Sequence, residues 1–142
     1  MDKKKDLADK LRSSGLRPTK QRVRLAEYLF NRSKTFHFTV ENLDNVINKK
    51  NSEEKIALAT IYNTVHAFKK AGHLKEILFK EGKSYFDTNT TSHHHFYDKV
   101  NGELIDIEVN KLELKKFPTP PKGKFIKDVN VIINIDNDNQ NQ

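Results

Sequence analysis

The chain has 142 residues, of which 35% are hydrophobic, carries a formal net charge of +7 and contains no cysteine. This length suits one domain or two small lobes, and the missing cysteine excludes disulfides and thiolate zinc sites. The charged start does not resemble a signal peptide, and no apolar run is long enough to span a membrane. We therefore expect a cytoplasmic protein.

Positive charge is concentrated in the first part of the chain. Residues 1–90 hold 19 Lys and Arg against 11 Asp and Glu, whereas residues 91–142 hold 7 against 8. A basic lobe followed by a slightly acidic one predicts nucleic-acid binding in the first lobe and a different task in the second. The alternative is that the lysine excess serves only solubility.

Four helices are predicted in the basic lobe, because apolar residues recur there at three- and four-residue spacing. Thr39 is expected to cap the third helix, and Gly72 to end the fourth with a left-handed residue. The four predicted helices cover about residues 6–14, 17–31, 40–48 and 57–71.

A β-hairpin is predicted after the fourth helix, from alternating segments at 74–79 and 84–87 joined through 80–83. The fourth helix has a single core-facing stripe of Ile61, Val65 and Phe68 and is otherwise polar. Helices followed by a hairpin predict a winged helix-turn-helix, with one helix in the major groove. The alternative for the fourth helix alone is an ordinary amphipathic helix.

Histidines flank the end of the fourth helix and open the second lobe. We predict that His66 and His73 are surface polar residues able to contact phosphate. The triplet His93-His94-His95 follows the hairpin, and on an extended backbone its first and third members point one way.

The rest of the second lobe is predicted to contain two strands and one short helix. A strand over 102–109 carries Asp106, a helix covers 111–116, a proline-rich connector covers 117–121, and a strand covers 125–135. So small a lobe cannot bury both of its faces, so we expect it to pair with a second copy.

Several motifs resemble the ferric uptake regulator (Fur) family over about residues 11–135. Leu58-Ala59-Thr60-Ile61-Tyr62-Asn63-Thr64, followed by Phe68 and Ala71-Gly72, resembles the family's recognition helix. Gly15-Leu16-Arg17-Pro18-Thr19 with Gln21-Arg22 resembles the entry to its second helix. Within the family, Tyr85-Phe86-Asp87-Thr88-Asn89 before the triplet, together with Pro118-Thr119-Pro120-Pro121-Lys122-Gly123, resembles the iron response regulator (Irr) branch.

The resemblance implies an α+β fold, with an N-terminal winged helix-turn-helix followed by a small αβ dimerisation lobe. We expect a DNA-binding domain over 1–90, a dimerisation and metal- or haem-sensing domain over 91–136, and a disordered tail over 137–142. The implied function is an iron- or haem-responsive, homodimeric regulator of iron and haem metabolism genes. The alternative is a constitutive winged-helix repressor with a purely structural metal.

An enzyme is not expected. Two histidines and a carboxylate could form an iron oxygenase site, but such sites normally lie inside a β-barrel, for which this chain has too few strands. It also lacks a nucleophile elbow, a glycine-rich phosphate loop and a His-Glu-x-x-His motif.

DNA contacts are assigned by the resemblance. Tyr62 would contact thymine methyl groups, and Asn63 stands where the family commonly has arginine. Because asparagine pairs well with adenine, this departure predicts an A/T-rich operator. Arg17 is expected in a narrow minor groove, and Arg22 at phosphates; the alternative for Tyr62 is packing beneath the wing. The full expected set is Arg17, Lys20, Arg22, Thr60, Tyr62 and Asn63.

A metal site between the lobes is implied at His37, Asp87, His95 and Asp106, a donor set that suits Zn²⁺, Fe²⁺ or Mn²⁺. The alternative for His37 is a polar residue at a helix start. No second metal site is expected, because Ser92 and Asn130 stand where the family has histidines and only Glu113 survives.

The branch resemblance implies haem at His93, His94 and His95. The alternatives for the triplet are a plain metal cluster and a structural role.

Overall fold

The computed structural model describes residues 3–49, 54–79 and 82–139. The chain divides into two compact units, Met1–Thr90 and Thr91–Gln142. Parts of two predicted segments lie outside the described residues: the hairpin connection at Lys80-Glu81 and the tail at 140–142. Within the described ranges, no helix is long and apolar enough to cross a membrane.

The first unit contains the four predicted helices. Thr19 caps α2 by accepting a hydrogen bond from the backbone N–H of Arg22. Thr39 caps α3 as predicted, through a reciprocal capping box with Asn42. Gly72 follows α4 with a φ of +88°, a value that favours glycine. The observed bounds are α1 (Lys3–Ser13), α2 (Lys20–Phe30), α3 (Val40–Ile47) and α4 (Leu58–Lys70).

The core of the first unit confirms the predicted stripe on α4. Ile61, Val65 and Phe68 have 0% exposure and pack with buried leucines of the other helices. Each such side chain contributes about 1.5–3 kcal/mol by leaving water. Because these positions recur every three to four residues, the opposite face of α4, with Tyr62 and Asn63, is left exposed.

A three-stranded antiparallel sheet completes the first unit, in the order β1-β3-β2. The predicted hairpin is confirmed as β2 (Lys75–Leu78) and β3 (Ser84–Asp87). A strand that was not predicted, β1 (His37–Phe38), pairs with β3 and places His37 opposite Asp87 and Phe38 opposite Phe86. Helices followed by this small sheet form the winged helix-turn-helix.

The second unit is a three-stranded sheet in the order β5-β4-β6. The central strand β4 (His94–Asp98) is antiparallel to β5 (Glu103–Ile107) and parallel to β6 (Ile132–Ile135). The terminal strand is therefore shorter than the predicted 125–135, because the pairing with β4 extends over only four residues.

The predicted helix over 111–116 is wrong. The structure has a single 3₁₀ turn, Val109–Lys111, followed by irregular backbone to residue 131. So short a segment forms few helical hydrogen bonds after a costly first turn, and Pro118 prevents it from extending further.

His73 is not the surface residue that the sequence predicted. It is half-buried, with ring centroids 5.9 Å from Phe30 and 6.4 Å from Phe68. Its Nε2 lies 2.8 Å from the hydroxyl of Ser14. Burial, and to a lesser extent the nearby charge of Lys10, lowers the pKa of His73 below its ordinary value.

This lowered pKa predicts a pH-dependent stability. Between the lowered folded pKa and the unfolded value of about 6.5, the unfolded chain binds more protons, so stability rises with pH. The stability that comes from keeping His73 neutral is complete above its unfolded-state pKa and is lost as the pH falls toward its folded-state pKa. The test is a pair of thermal melts in chelator, at about pH 7.5 and about pH 5.5, which lie on either side of the ordinary histidine pKa. The wild type should lose more melting temperature on acidification than His73→Gln, and an equal loss in both proteins would contradict this account.

Candidate metal centre and nucleic-acid interface

In the first unit, a half-buried histidine contacts a fully buried carboxylate where β1 meets β3. His37 Nε2 is 3.1 Å from Asp87 Oδ2, and the Asp87 side chain has 0% exposure. The other carboxylate oxygen accepts a hydrogen bond from the backbone N–H of Asn89, at 2.8 Å. The strand register explains the pair, since His37 and Asp87 are direct partners across the ladder. The sequence grouped these two residues in one metal site, and the structure places them in contact.

In the second unit, two imidazoles converge on one carboxylate oxygen. Asp106 Oδ1 lies 3.2 Å from Nε2 of His93 and 3.2 Å from Nε2 of His95. Both imidazoles are buried, at 6% and 1% exposure, and their ring centroids are 4.4 Å apart. His95 is opposite Asp106 in the β4–β5 register, and His93 is two residues earlier on the same side.

The hydrogen bonds of the triplet separate its first member from its second. His93 Nδ1 lies 2.7 Å from the carbonyl oxygen of Thr91, which can only accept, so Nδ1 donates. The neutral ring of His93 therefore presents a lone pair at Nε2, toward Asp106. His94 Nδ1 instead accepts from the backbone N–H of Val131, at 3.0 Å, which leaves the proton of its neutral ring on Nε2.

These donor sets can hold a metal ion. Imidazole nitrogen together with carboxylate oxygen suits Zn²⁺, Fe²⁺ and Mn²⁺. In the second unit each of the three residues offers a ligand atom within 4.8 Å of the others. The bond from His93 to a backbone carbonyl is the usual device that fixes the tautomer and orientation of a metal-bound histidine. The residues present therefore fit a divalent ion.

Sequence reasoning assigned His93 to haem and left it out of the metal site. The structure adds it to the group around Asp106. The signal was available, because the alternation of an extended strand places His93 on the side of His95 and away from His94. The positions of the family's second site, Ser92, Glu113 and Asn130, are exposed.

The expected DNA contacts lie on two elements of the first unit. On α4, Tyr62 is 53% exposed and Asn63 is also exposed, while Thr60 is half-buried. The Tyr62 ring therefore does not pack fully beneath the wing.

The basic residues lie near the start of α2. Arg17 and Lys20 are exposed, and Lys20 forms a surface ion pair with Glu54 at 3.6 Å. Arg22 is half-buried, and its guanidinium donates to the carbonyl of Arg17 at 3.3 Å. This bond holds Arg22 beside the loop that carries Arg17.

Comparison with known proteins identifies the family. The sequence profile described as the ferric uptake regulator family matches residues 13–133. The chain is 33% identical over 103 residues to the peroxide-responsive repressor PerR of Staphylococcus epidermidis, covering 72% of this chain and 66% of that protein. The chain thus spans slightly less than two thirds of the length of this relative.

Solved structures show the same fold. The ferric uptake regulator of Vibrio cholerae superposes with a TM-score of 0.68 at 22% identity, over 91% of this chain and 98% of that chain. The ferric uptake regulator of Pseudomonas aeruginosa with manganese gives 0.62 at 20% identity, over 91% and 96%.

The fold is α+β as predicted, a winged-helix DNA-binding domain followed by a small dimerisation lobe, although the described part of that lobe has strands and a 3₁₀ turn in place of the predicted helix. The chain belongs to the ferric uptake regulator family. Proteins of this family are transcription regulators and not enzymes; they bind operator DNA, dimerise and bind divalent metals. The predicted family and the non-enzymatic class are confirmed.

The hydrogen bonds of the triplet predict different roles for its members in metal binding. His93→Ala should weaken Mn²⁺ binding by more than the roughly 10–100-fold that follows loss of a group bonded to a ligand. His94→Ala should leave Mn²⁺ affinity nearly unchanged, because its Nδ1 is used by Val131. Isothermal titration with Mn²⁺ measures both, and circular dichroism checks folding, with His93→Gln as a milder second variant. Equal losses in the His93 and His94 variants would contradict the assignment.

Proposed function

We propose that this chain is a metal-responsive DNA-binding transcriptional regulator whose DNA affinity is set by a divalent ion at a His/Asp cluster. The observation that carries the proposal is the convergence of His93 and His95 on Asp106, in a protein with a winged helix. Buried imidazoles held around a carboxylate have the chemistry of a metal site, and the winged helix has the shape of a DNA reader.

We further propose that one ion takes ligands from both units, from the set His37, Asp87, His93, His95 and Asp106. The argument is one of donor number, because His37 and Asp87 alone supply only two ligand side chains. Asp87 and His93 are separated by five residues, so the chain keeps their Cα atoms within about 20 Å. The sequence-based site lacked His93, and the proposed set includes it.

A site of this kind couples metal to DNA. A bound divalent ion would supply the positive charge that joins imidazoles and carboxylates of both units. His37 and Asp87 belong to the unit that carries α4, whereas His93, His95 and Asp106 belong to the other. When all five residues serve as ligands, they restrict the two units to one set of arrangements, and DNA affinity then depends on metal concentration.

The DNA contacts proposed here are those of the exposed faces described above. Tyr62 and Asn63 would contact base edges, with an A/T-rich preference from the asparagine. Arg17 would enter the minor groove, and Lys20 and Arg22 would contact phosphates. A homodimer would present two such faces to two half-sites of one operator. We propose a cytoplasmic location, because chromosomal DNA lies in the cytoplasm of bacteria such as those of its relatives.

Haem sensing, with the Irr branch and iron control that it implies, is a second candidate. It is supported by a cavity of about 380 Å³ in the second unit, whose lining combines four apolar residues with three charged ones: Phe96, Ile107, Leu112 and Ile133 with Asp106, Glu108 and Lys111. His94 is on the same sheet face, since it pairs with Ile107. The bond from Val131 to His94 Nδ1 weighs against this candidate, because it leaves Nε2 protonated.

The proposed regulator predicts metal-dependent operator binding. Duplexes selected from a random library with Mn²⁺ present serve as operator, and fluorescence anisotropy at fixed salt measures affinity. Mn²⁺ should tighten binding by roughly 5–150-fold, the usual range of coupling between two sites, and chelator should reverse it. Equal affinity with Mn²⁺ and with chelator would instead identify a constitutive repressor with a structural metal.

Carboxylate variants test whether one ion joins the units. Asp87→Asn and Asp106→Asn should each remove the gain from Mn²⁺, and the double variant should lose nothing more, because both carboxylates serve one ion. Glu103→Gln, an exposed change on the strand of Asp106, is the control and should keep the gain. Additive partial losses would show two independent sites.

Haem titration decides the second candidate. If haem uses the triplet from its apolar side, His94→Ala abolishes the shift of the Soret band and His93→Ala retains it, the reverse of the order for Mn²⁺. A Soret band that is the same in the wild type and in His94→Ala would contradict haem ligation by His94.

A further inference from the structure

The exposed ring of Tyr62 rests on another ring of the same helix. Its centroid is 4.4 Å from that of His66, with the planes inclined by 48°. The two residues are one turn apart on α4, where side chains at i and i+4 are neighbours. The imidazole therefore lies under the side chain that the proposed function gives to thymine contacts.

His66 contacts a second ring on its other side. The His66 and Phe86 rings meet edge to face, with their centroids 5.7 Å apart and their planes at 89°. Phe86 in turn stacks on Phe38, at 5.8 Å and 27°. Both phenylalanines are buried, at 2% and 3% exposure. Aromatic pairs with these separations are attractive beyond the area they bury.

The row of rings ends beside the histidine–carboxylate pair. Phe38 directly follows His37, and Phe86 directly precedes Asp87, with both pairs opposite each other in the β1–β3 ladder. A change in the position of β3 therefore moves the ring that touches His66, and a change in the position of β1 moves the Phe38 ring that stacks on it. All of these residues belong to the first unit.

A cavity beside this row of rings offers space for a second, inward orientation of the Tyr62 side chain. It has a volume of about 270 Å³ and is lined by Tyr62, His66 and Phe86 together with polar residues of the wing such as Glu76 and Lys83. Removing the imidazole would enlarge this space and allow the phenol ring to turn inward. Among the described residues, His66 Nε2 is buried without a hydrogen-bond partner, so the ring acts there through its shape.

We propose that His66 is a positioning residue that holds the Tyr62 ring outward for contact with thymine methyl groups and links it to the strands bearing His37 and Asp87. The inference rests on the proposed function, because it assumes that α4 contacts operator bases. It adds a residue that would contact no base itself and would still set base preference.

Replacement of thymine by deoxyuracil provides the test, since it removes only the methyl group. The probe is the selected duplex described above, with thymines replaced one at a time in the presence of Mn²⁺. For the wild type, at least one replacement should weaken binding by about fourfold, the effect of one buried methyl-sized group. His66→Ala should abolish that discrimination, as Tyr62→Ala does, and the double variant should match the single ones.

His66→Phe is the matched rescue variant, because it keeps a ring and has no buried nitrogen. It should restore the discrimination against uracil, and it keeps the test decisive if His66→Ala folds poorly. Isothermal titration should give the same Mn²⁺ affinity for His66→Phe and the wild type, because His66 is not among the proposed ligands.

Each remaining outcome counts against one of the two proposals. A wild type that enriches no duplex overturns the proposed function. A wild type that binds its selected duplex but does not distinguish thymine from uracil overturns the positioning role. The positioning role is also overturned if His66→Ala still distinguishes thymine from uracil. It is overturned as well if this variant loses affinity for the thymine and uracil duplexes by the same factor.

Discussion

The arrangement of this protein depends on carboxylates held against imidazoles: Asp87 is fully buried, whereas Asp106 is 41% exposed and faces two buried rings. A buried carboxylate is costly unless charge and hydrogen bonds compensate it. Asp87 is fully buried and satisfies this requirement with His37 and the Asn89 amide. In the second unit Asp106 faces two buried imidazoles. A divalent ion bound at these points would supply positive charge to the carboxylates and would stabilise the structure that surrounds them.

Within the first unit, the pair of His37 and Asp87 is linked by packed rings to α4, the helix proposed to contact DNA bases. His37 and Asp87 occupy the ends of two short paired strands, and the phenylalanines next to them begin the row of rings that leads to α4. The buried stripe of α4 holds the helix on the core, so its exposed face is defined by packing. Chemistry at the strand ends and contacts at Tyr62 can therefore be linked without any large rearrangement of the core.

The sequence predicts elements that are long enough for their apolar residues to repeat, and it misses elements too short to show a repeat. The stripe of Ile61, Val65 and Phe68 spans two turns and identifies α4 unambiguously. A strand of two residues, such as His37–Phe38, has no detectable alternation, and its existence depends on pairing with β3. The segment after Ile107 contains scattered leucines that fit a helix, but it lacks the length to pay for a first turn, and the structure is irregular there. Of the candidate site, the contacts of His37 with Asp87 and of His95 with Asp106 agree with the expected grouping. Strand alternation already places His93 on the side of His95, but the hydrogen bond to Thr91 that fixes its tautomer is contained in no sequence pattern.

The central claim is that metal binding and DNA binding are coupled through the His/Asp cluster. Linkage requires that DNA change Mn²⁺ affinity by the same factor by which Mn²⁺ changes DNA affinity. The most direct measurement is the Mn²⁺ dissociation constant with and without saturating selected duplex, at one salt concentration. Mn²⁺ should bind more tightly to the DNA-bound protein, by a factor equal to the gain in operator affinity. An Mn²⁺ affinity that is the same with and without DNA would contradict it.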